Sequence, residues 1–384
     1  MKTNDKQDAN ASLFKPATKL RVNELFAGIG SYAEALRRID YPSEVVSISE
    51  INSYATRAYQ LLHGDIPNLG DISKVAELPK ADLWCYSAPC TDISLAGKMR
   101  GMERDSNTAS SLLWEIERLL LKAQEQNELP KFLLMENVTM LVSKKFIHSF
   151  NEWLEFLETL GYKNYWEKLN AKDYGIPQTR NRVFLISILN PKRDYEFPKP
   201  FPLESKLIDY LEEDVHEKYF ISEACLLYAT DPTDRNGFIR GKRFKPHDIN
   251  KSEYAFTITT RKGSTPTDNF VIVPEATLKG YKEAYLGDGI YINRPHQKRG
   301  CVQKGKIQTI KRTVSDLGVI VERDKALMIR KITPRESLRL MGWKDDRIDV
   351  IIKEFSDTRL YTFAGNGIVI DVLVEIFKEL LKNE

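Results

Sequence analysis

Between Leu20 and Leu189 the chain alternates short apolar runs with stretches of helical periodicity, and this alternation restricts the fold more than any other feature. Runs at 21–26, 44–49, 83–86, 131–135 and 183–188 predict strands, and the patterns at 31–39, 52–62, 110–126 and 146–160 predict helices. Strands alternating with helices build an α/β, doubly wound, mostly parallel sheet. The pattern stops after Asn190, where Pro191, Pro198, Pro200 and Pro202 interrupt it. Short strands rich in Gly and Lys follow, which predicts a smaller, irregular, β-rich domain. From Ile332 the helical style returns. Thr333-Pro334-Arg335-Glu336 reads as an N-cap, a proline at the first helical position and an acidic first turn. A last helix over 369–382 is expected to pack back on the first domain. The expected division is a polar tail at 1–19, a first domain at 20–190, a second at 191–326 and a returning segment at 327–384.

A chain of 384 residues buries a full core and has room for two domains. No apolar stretch is read as reaching membrane-span length, and residues 1–19 lack the apolar centre of a secretory signal. Cys85, Cys90, Cys225 and Cys301 show no Cys-x-x-Cys spacing. That argues against zinc and disulfides and favours a reducing cytoplasm, where a reactive thiol survives. The net charge is only +3, but residues 235–312 hold 17 Lys and Arg against 6 Asp and Glu. Such a stretch is either a solvated surface or, beside a catalytic domain, a phosphate-facing lobe.

Four clusters carry chemistry. Phe26-Ala27-Gly28-Ile29-Gly30 joins a strand to a helix, and its glycines let a ligand approach the backbone at a helix N-terminus. Many such turns bind nothing. Glu50 ends the next strand, where an acid binds ribose hydroxyls, and Asp71 is placed to accept a bond from an adenine amino group. No Walker lysine pattern is present, so an adenosine cofactor fits better than a nucleoside triphosphate. Cys90, in Ser87-Ala88-Pro89-Cys90, follows a buried strand, next to a proline that fixes the turn; most cysteines so placed are inert. Glu136 ends the run Phe132-Leu133-Leu134-Met135. It is either a helix-capping acid or a partly desolvated carboxyl of raised pKa that protonates a ring nitrogen. Arg180 and Arg182 alternate into Val183-Phe184-Leu185-Ile186 and, on a strand, point to one face. They are surface ion pairs or a clamp on a base and its phosphate. A thiolate, an acid and fixed cations suit methyl transfer to a pyrimidine. Thiolate addition at carbon 6 makes carbon 5 enamine-like, and protonation at N3 eases that addition.

At these residues the chain resembles the DNA cytosine-C5 methyltransferases, which use S-adenosylmethionine. The resemblance spans most of the chain outside the tail and the basic middle. It rests on Phe26-Ala27-Gly28-Ile29-Gly30, Pro89-Cys90, Glu136-Asn137-Val138, Gln178-x-Arg180-x-Arg182, Arg335-Glu336 and Gly365-Asn366-Gly367, in the family's order. It implies a Rossmann-like S-adenosylmethionine-dependent methyltransferase fold, with residues 191–326 as target-recognition domain. Cys90 would be the nucleophile, Glu136 the N3 partner, and Arg180 and Arg182 the holders of the base. Phe26, Gly28, Gly30, Glu50, Ile51, Asp71, Ile72, Pro89, Leu112, Asn366 and Gly367 would line the cofactor pocket. Ser94, Lys98, Arg100, Gln178, Arg261 and Thr309 would meet DNA. No metal is implied.

Thr91 stands where the family usually has Gln, Gly367 where it usually has Ser or Ala, and Asp92 adds an acid beside the nucleophile. These are expected to tune rate and loop closure. The implied partners are duplex DNA and, in a restriction–modification pair, an endonuclease of the same site, the enzyme being a monomer. The alternatives are a transfer-RNA methyltransferase of the same fold, a catalytically silent DNA-binding relative, and a nicotinamide oxidoreductase. The last leaves Cys90 and the arginines unexplained.

Overall fold

The computed structural model describes residues 19–89, 112–221, 238–239, 242–243, 271–275, 281–292, 300–312, 316–323 and 326–382. Their first part forms β1 (Leu20–Leu25), α1 (Ser31–Arg38), β2 (Ser43–Ser49), α2 (Ser53–His63), β3 (Leu83–Tyr86), α3 (Leu113–Glu125) and β4 (Phe132–Val138). Next come α4 (Ile147–Thr159), β5 (Tyr162–Asn170), β6 (Gln178–Thr179) and β7 (Asn181–Leu189). The main sheet has the order β2-β1-β3-β4-β7-β5. Only β7 runs against its neighbours. The doubly wound, mostly parallel α/β fold is therefore present.

Alternation along the strands sorts the two faces. Leu83 and Cys85 of β3, with Phe132 and Leu134 of β4, enter the core that α1 and the C-terminal helices cover. Trp84, Tyr86, Leu133 and Met135 enter the core covered by α3 and α4. There Trp153 packs edge-on against Tyr86, with ring centroids 6.1 Å apart. β5 was not foreseen. Tyr162–Asn170 is an edge strand whose exposed Glu167 and Lys168 break any apolar run, which is how edges are kept from pairing further.

The C-terminal part returns as α5 (Pro334–Arg339), α6 (Asp345–Ile351), α7 (Asp357–Asn366) and α8 (Ile370–Leu381). Thr333 caps α5 in a full capping box with Glu336. Glu336 also takes both guanidinium nitrogens of buried Arg330, at 2.8 and 2.7 Å. Asp357–Leu381 is long and apolar enough by composition to cross a membrane, a stretch the sequence reading passed over. It is two helices broken at Gly367, Ile368 and Val369, and Leu373, Ile376, Phe377 and Leu380 of α8 lie in the core.

A second sheet has the order Val302–Gln303, Gly289–Tyr291, Leu317–Arg323, Ala326–Lys331. It has its own core of Val273, Ala284, Ile290, Ile292, Cys301, Val302, Ile320 and Ile329. Packing and composition divide the chain differently. Tyr195 and Leu207 belong to the first core, and Ala326–Lys331 still pairs in the second sheet.

Glu24 is the exception inside β1. It is fully buried opposite Cys85 and Ile48, with Tyr59 nearby. Among the described residues no partner meets full hydrogen-bond geometry at either carboxyl oxygen. The Ala33 amide and Tyr59 hydroxyl soften the burial only in part, and the carboxyl is pushed up to about 8 from 4.5. It is thus neutral at pH 7. The folded-state pKa is the higher one, so its support of the fold is complete below about pH 4.5 and is lost as pH rises to about 8. Glu24→Gln is expected to match wild type in acid and to be more stable by on the order of 3 kcal/mol at pH 7. Thermal melts from pH 4 to pH 9 check this; a constant gap between the two proteins rules it out.

Candidate active site

The strand order reverses between β1 and β3, and ligands of open α/β sheets bind at the carboxyl ends of such strands. The loop after β1 turns sharply, with Phe26, Gly28 and Gly30 at φ 58°, 57° and 84°. A Cβ on Gly30 would lie 2.4 Å from His63 Nε2, whereas one on Gly28 would face open space. The Gly28 N–H donates to Glu50 Oε2 at 2.9 Å and the Asn52 N–H to Oε1 at 2.7 Å. Glu50 is therefore fixed beside the glycines. Asn68, which sequence reasoning missed, brackets the Glu50 backbone and also accepts from the Gly70 N–H. It ties the end of β2 to the segment carrying Asp71, and its only sequence signal is an Asn ahead of a Gly.

Ile51 beside Glu50 is 75% exposed, an apolar side chain with no core to enter. Asp71 caps a short turn through the Ser73 N–H and hydroxyl, which hold its carboxyl below the usual range. Asn366 is exposed, and the Ile368 N–H reaches Ser31 Oγ at 3.4 Å, bringing this segment to the start of α1. Leu112 caps α3 and is partly buried in the adjoining core. An open glycine cradle, an anchored carboxylate and an exposed apolar side chain fit an adenosine-bearing ligand. Ile72 is a correction: its side chain is 2% exposed and packs in the core with Leu25 and Trp84, so the side chain lines no pocket.

Tyr86 pairs with Met135, so Ser87-Ala88-Pro89 leaves the sheet beside Glu136 and Asn137. Asn137 Nδ2 donates to the Ala88 carbonyl at 3.2 Å. Pro89 is the last described residue of this stretch; Cys90, Thr91, Asp92, Ser94, Lys98, Arg100 and Arg261 lie outside the described residues. Glu136, 7% exposed, accepts from Arg182 Nε at 3.0 Å. Burial raises its carboxyl, outweighing the opposing pull of Arg182 and Arg180. Beside it opens a cleft of about 330 Å³ lined by Thr139, Thr179, Asn181, Arg182, Gln303 and Thr309, between the two units. Thr309 borders it, its hydroxyl donating to the Thr179 carbonyl at 2.6 Å.

Arg180 and Arg182 do not share a face. The strand breaks between β6 and β7 at Arg180, which is 3% exposed. Its guanidinium donates to the carbonyls of Ile310, Gly365 and Gly367 at 2.8, 3.0 and 2.7 Å. Two segments distant in sequence present these three oxygens, and the planar fork meets them. Gln178 is fully buried, donating to the Leu340 carbonyl at 2.7 Å and accepting the Ile310 N–H at 3.1 Å. Its reading as a DNA contact gives way to that of an internal bracket. Arg182 pairs with Glu136 and lines the cleft.

Residues 20–382 match the family model described as C-5 cytosine-specific DNA methylase. The chain belongs to the C-5 cytosine-specific DNA methylases. The methylase is 32% identical to the type II methyltransferase M2.ScrFI of Lactococcus lactis subsp. cremoris, over 95% of this chain and 100% of that protein. It is 30% identical to the type II methyltransferase M.NlaX of Neisseria lactamica, over 94% and 96%. The Dnmt2 methyltransferase of S. pombe shares the fold, with a TM-score of 0.60, 20% identity and coverage of 94% and 98%. The enzyme methylates carbon 5 of cytosine in DNA, and its family depends on S-adenosylmethionine.

Proposed function

We propose that this methylase flips a cytosine out of a specific duplex sequence and methylates it through a covalent bond from Cys90 sulfur to carbon 6. S-adenosylmethionine, held by the Gly28–Gly30 loop, Glu50, Ile51 and the Asn366 segment, supplies an electrophilic methyl group. The reading is carried by buried Glu136 paired with Arg182, whose side chain lines the cleft. An acid of raised pKa gives its proton to N3 as the thiolate adds at carbon 6, and carbon 5 then takes the methyl group. Loss of the carbon 5 proton to a base expels the thiolate, and N3 returns its proton to Glu136, which restores the ring and the acid. Arg182 holds the glutamate and the base edge. A base inside the duplex is out of reach of this chemistry, so extrusion into the cleft precedes it. The type II names of some relatives support a restriction–modification setting, while others are named orphan methyltransferases. We place the enzyme in the cytoplasm, with an endonuclease of the same site as partner. A monomer suffices to read one target strand.

The test is transfer of tritium from labelled S-adenosylmethionine to duplex DNA, wild type beside Cys90→Ala. Label on cytosine carbon 5 from wild type alone is expected, and bisulfite sequencing then gives the site. Label on transfer RNA but not on duplex DNA overturns the duplex reading.

A further inference from the structure

Tyr32, the second residue of α1, is 2% exposed, and its ring lies in the core with Ala35 and Leu36. A phenylalanine fills the same space, so the hydroxyl is the feature to explain. That hydroxyl lies 2.8 Å from Ser87 Oγ and 3.5 Å from the Tyr86 carbonyl. Ser87 stands three residues before Cys90, at the exit of β3. Asn137, next to Glu136, holds the same exit from the other side through Ala88. α1 in turn has Gly30 as its N-cap, the end of the left-handed loop that Glu50 anchors. Glycine loop, helix, tyrosine hydroxyl, serine and the proline-stiffened turn thus form one short mechanical path.

We propose that Tyr32 is a positioning residue, whose hydrogen bond to Ser87 carries the seating of the cofactor loop to the turn that presents Cys90. The inference rests on the proposed role of Cys90. A buried hydroxyl must be bonded or it destabilises the fold. Here the bond is made to the segment whose placement governs attack, and small displacements of a reacting group cost rate steeply. Pro89, with its fixed φ, passes a shift at Ser87 onward. The bond therefore acts on the chemical step and leaves substrate binding alone.

Tyr32→Phe, Ser87→Ala and the double variant are compared with wild type in single-turnover methyl transfer at saturating cofactor and duplex DNA. The affinity for S-adenosylmethionine and the melting temperature are measured in parallel. Each single change is expected to slow transfer by about tenfold or more. The double variant should be no slower than the slower single one, as coupled groups behave, and Ser87→Thr should keep most of the rate. Cofactor affinity should hold in all of them. The melting temperature should hold in Tyr32→Phe and the double variant and fall only in Ser87→Ala, which leaves the buried Tyr32 hydroxyl with the Tyr86 carbonyl at 3.5 Å. Unchanged rates, losses that multiply, or losses that follow the melting temperature or cofactor affinity overturn the proposal. Ser87→Ala carries the test alone if Tyr32→Phe does not fold. A wild type that transfers no label contradicts the proposed function instead.

Discussion

Replacing Glu136 by glutamine is expected to lower kcat by about a hundredfold or more while leaving duplex affinity within a few-fold, the range usual for loss of a general acid. Glutamine keeps the volume and still offers hydrogen bonds to Arg182 and to a base, so binding survives. It cannot give up a proton, so N3 stays neutral as the thiolate adds. The pH profile separates this from a local distortion. The reacting form is the acid, which burial favours and the two arginines oppose. In wild type the Glu136 contribution holds below its folded-state pKa and fades as pH rises through it. Glu136→Gln should lose that alkaline limb, and single-turnover rates across pH show whether it does. A glutamine variant with unaltered rate and profile removes Glu136 from the chemistry.

Arg180→Met is expected to act on stability first. It deletes the donor to three carbonyls in a site where Arg180 is 3% exposed. Breaking such a buried charged network costs about 3–5 kcal/mol, roughly 10 °C in melting temperature for a domain of this size. Arg180→Lys should recover little, because one ammonium cannot serve oxygens of the Ile310 and Gly365–Gly367 segments together. Affinity for S-adenosylmethionine should fall as well, since the Gly365–Gly367 segment rests on this side chain. Thermal denaturation with and without cofactor measures both. A stable variant with only kcat impaired restores the reading of Arg180 as a clamp on the base.

The contrast between the two arginines shows where sequence pattern stops. Alternation of Arg180 and Arg182 into β7 implied one shared face, and that holds only for an unbroken strand. The strand is broken at Arg180, where residues 307–308 pair with β6 and the guanidinium turns to the Gly365–Gly367 carbonyls. Both partners are distant in sequence. Gln178 and Ile72 were misread for the same reason, as their burial comes from remote packing. The strand ends were legible: Glu50, Glu136 and the glycines follow apolar runs, and local order alone puts them at one sheet edge. β5 was hidden by the charges that keep an edge strand from aggregating. Tyr32 carried no signal, since its partner lies 55 residues away.

The central claim is the Cys90–carbon 6 bond, and duplex DNA with 5-fluorocytosine at the target tests it most directly. Fluorine at carbon 5 leaves no proton to lose, so the enzyme stays attached after methyl transfer. With S-adenosylmethionine present, wild type should form a complex that survives denaturation, with the nucleotide mass on the peptide holding Cys90, and Cys90→Ala should form none. Methylated product from Cys90→Ala, or an adduct mapped to any other residue, contradicts the account.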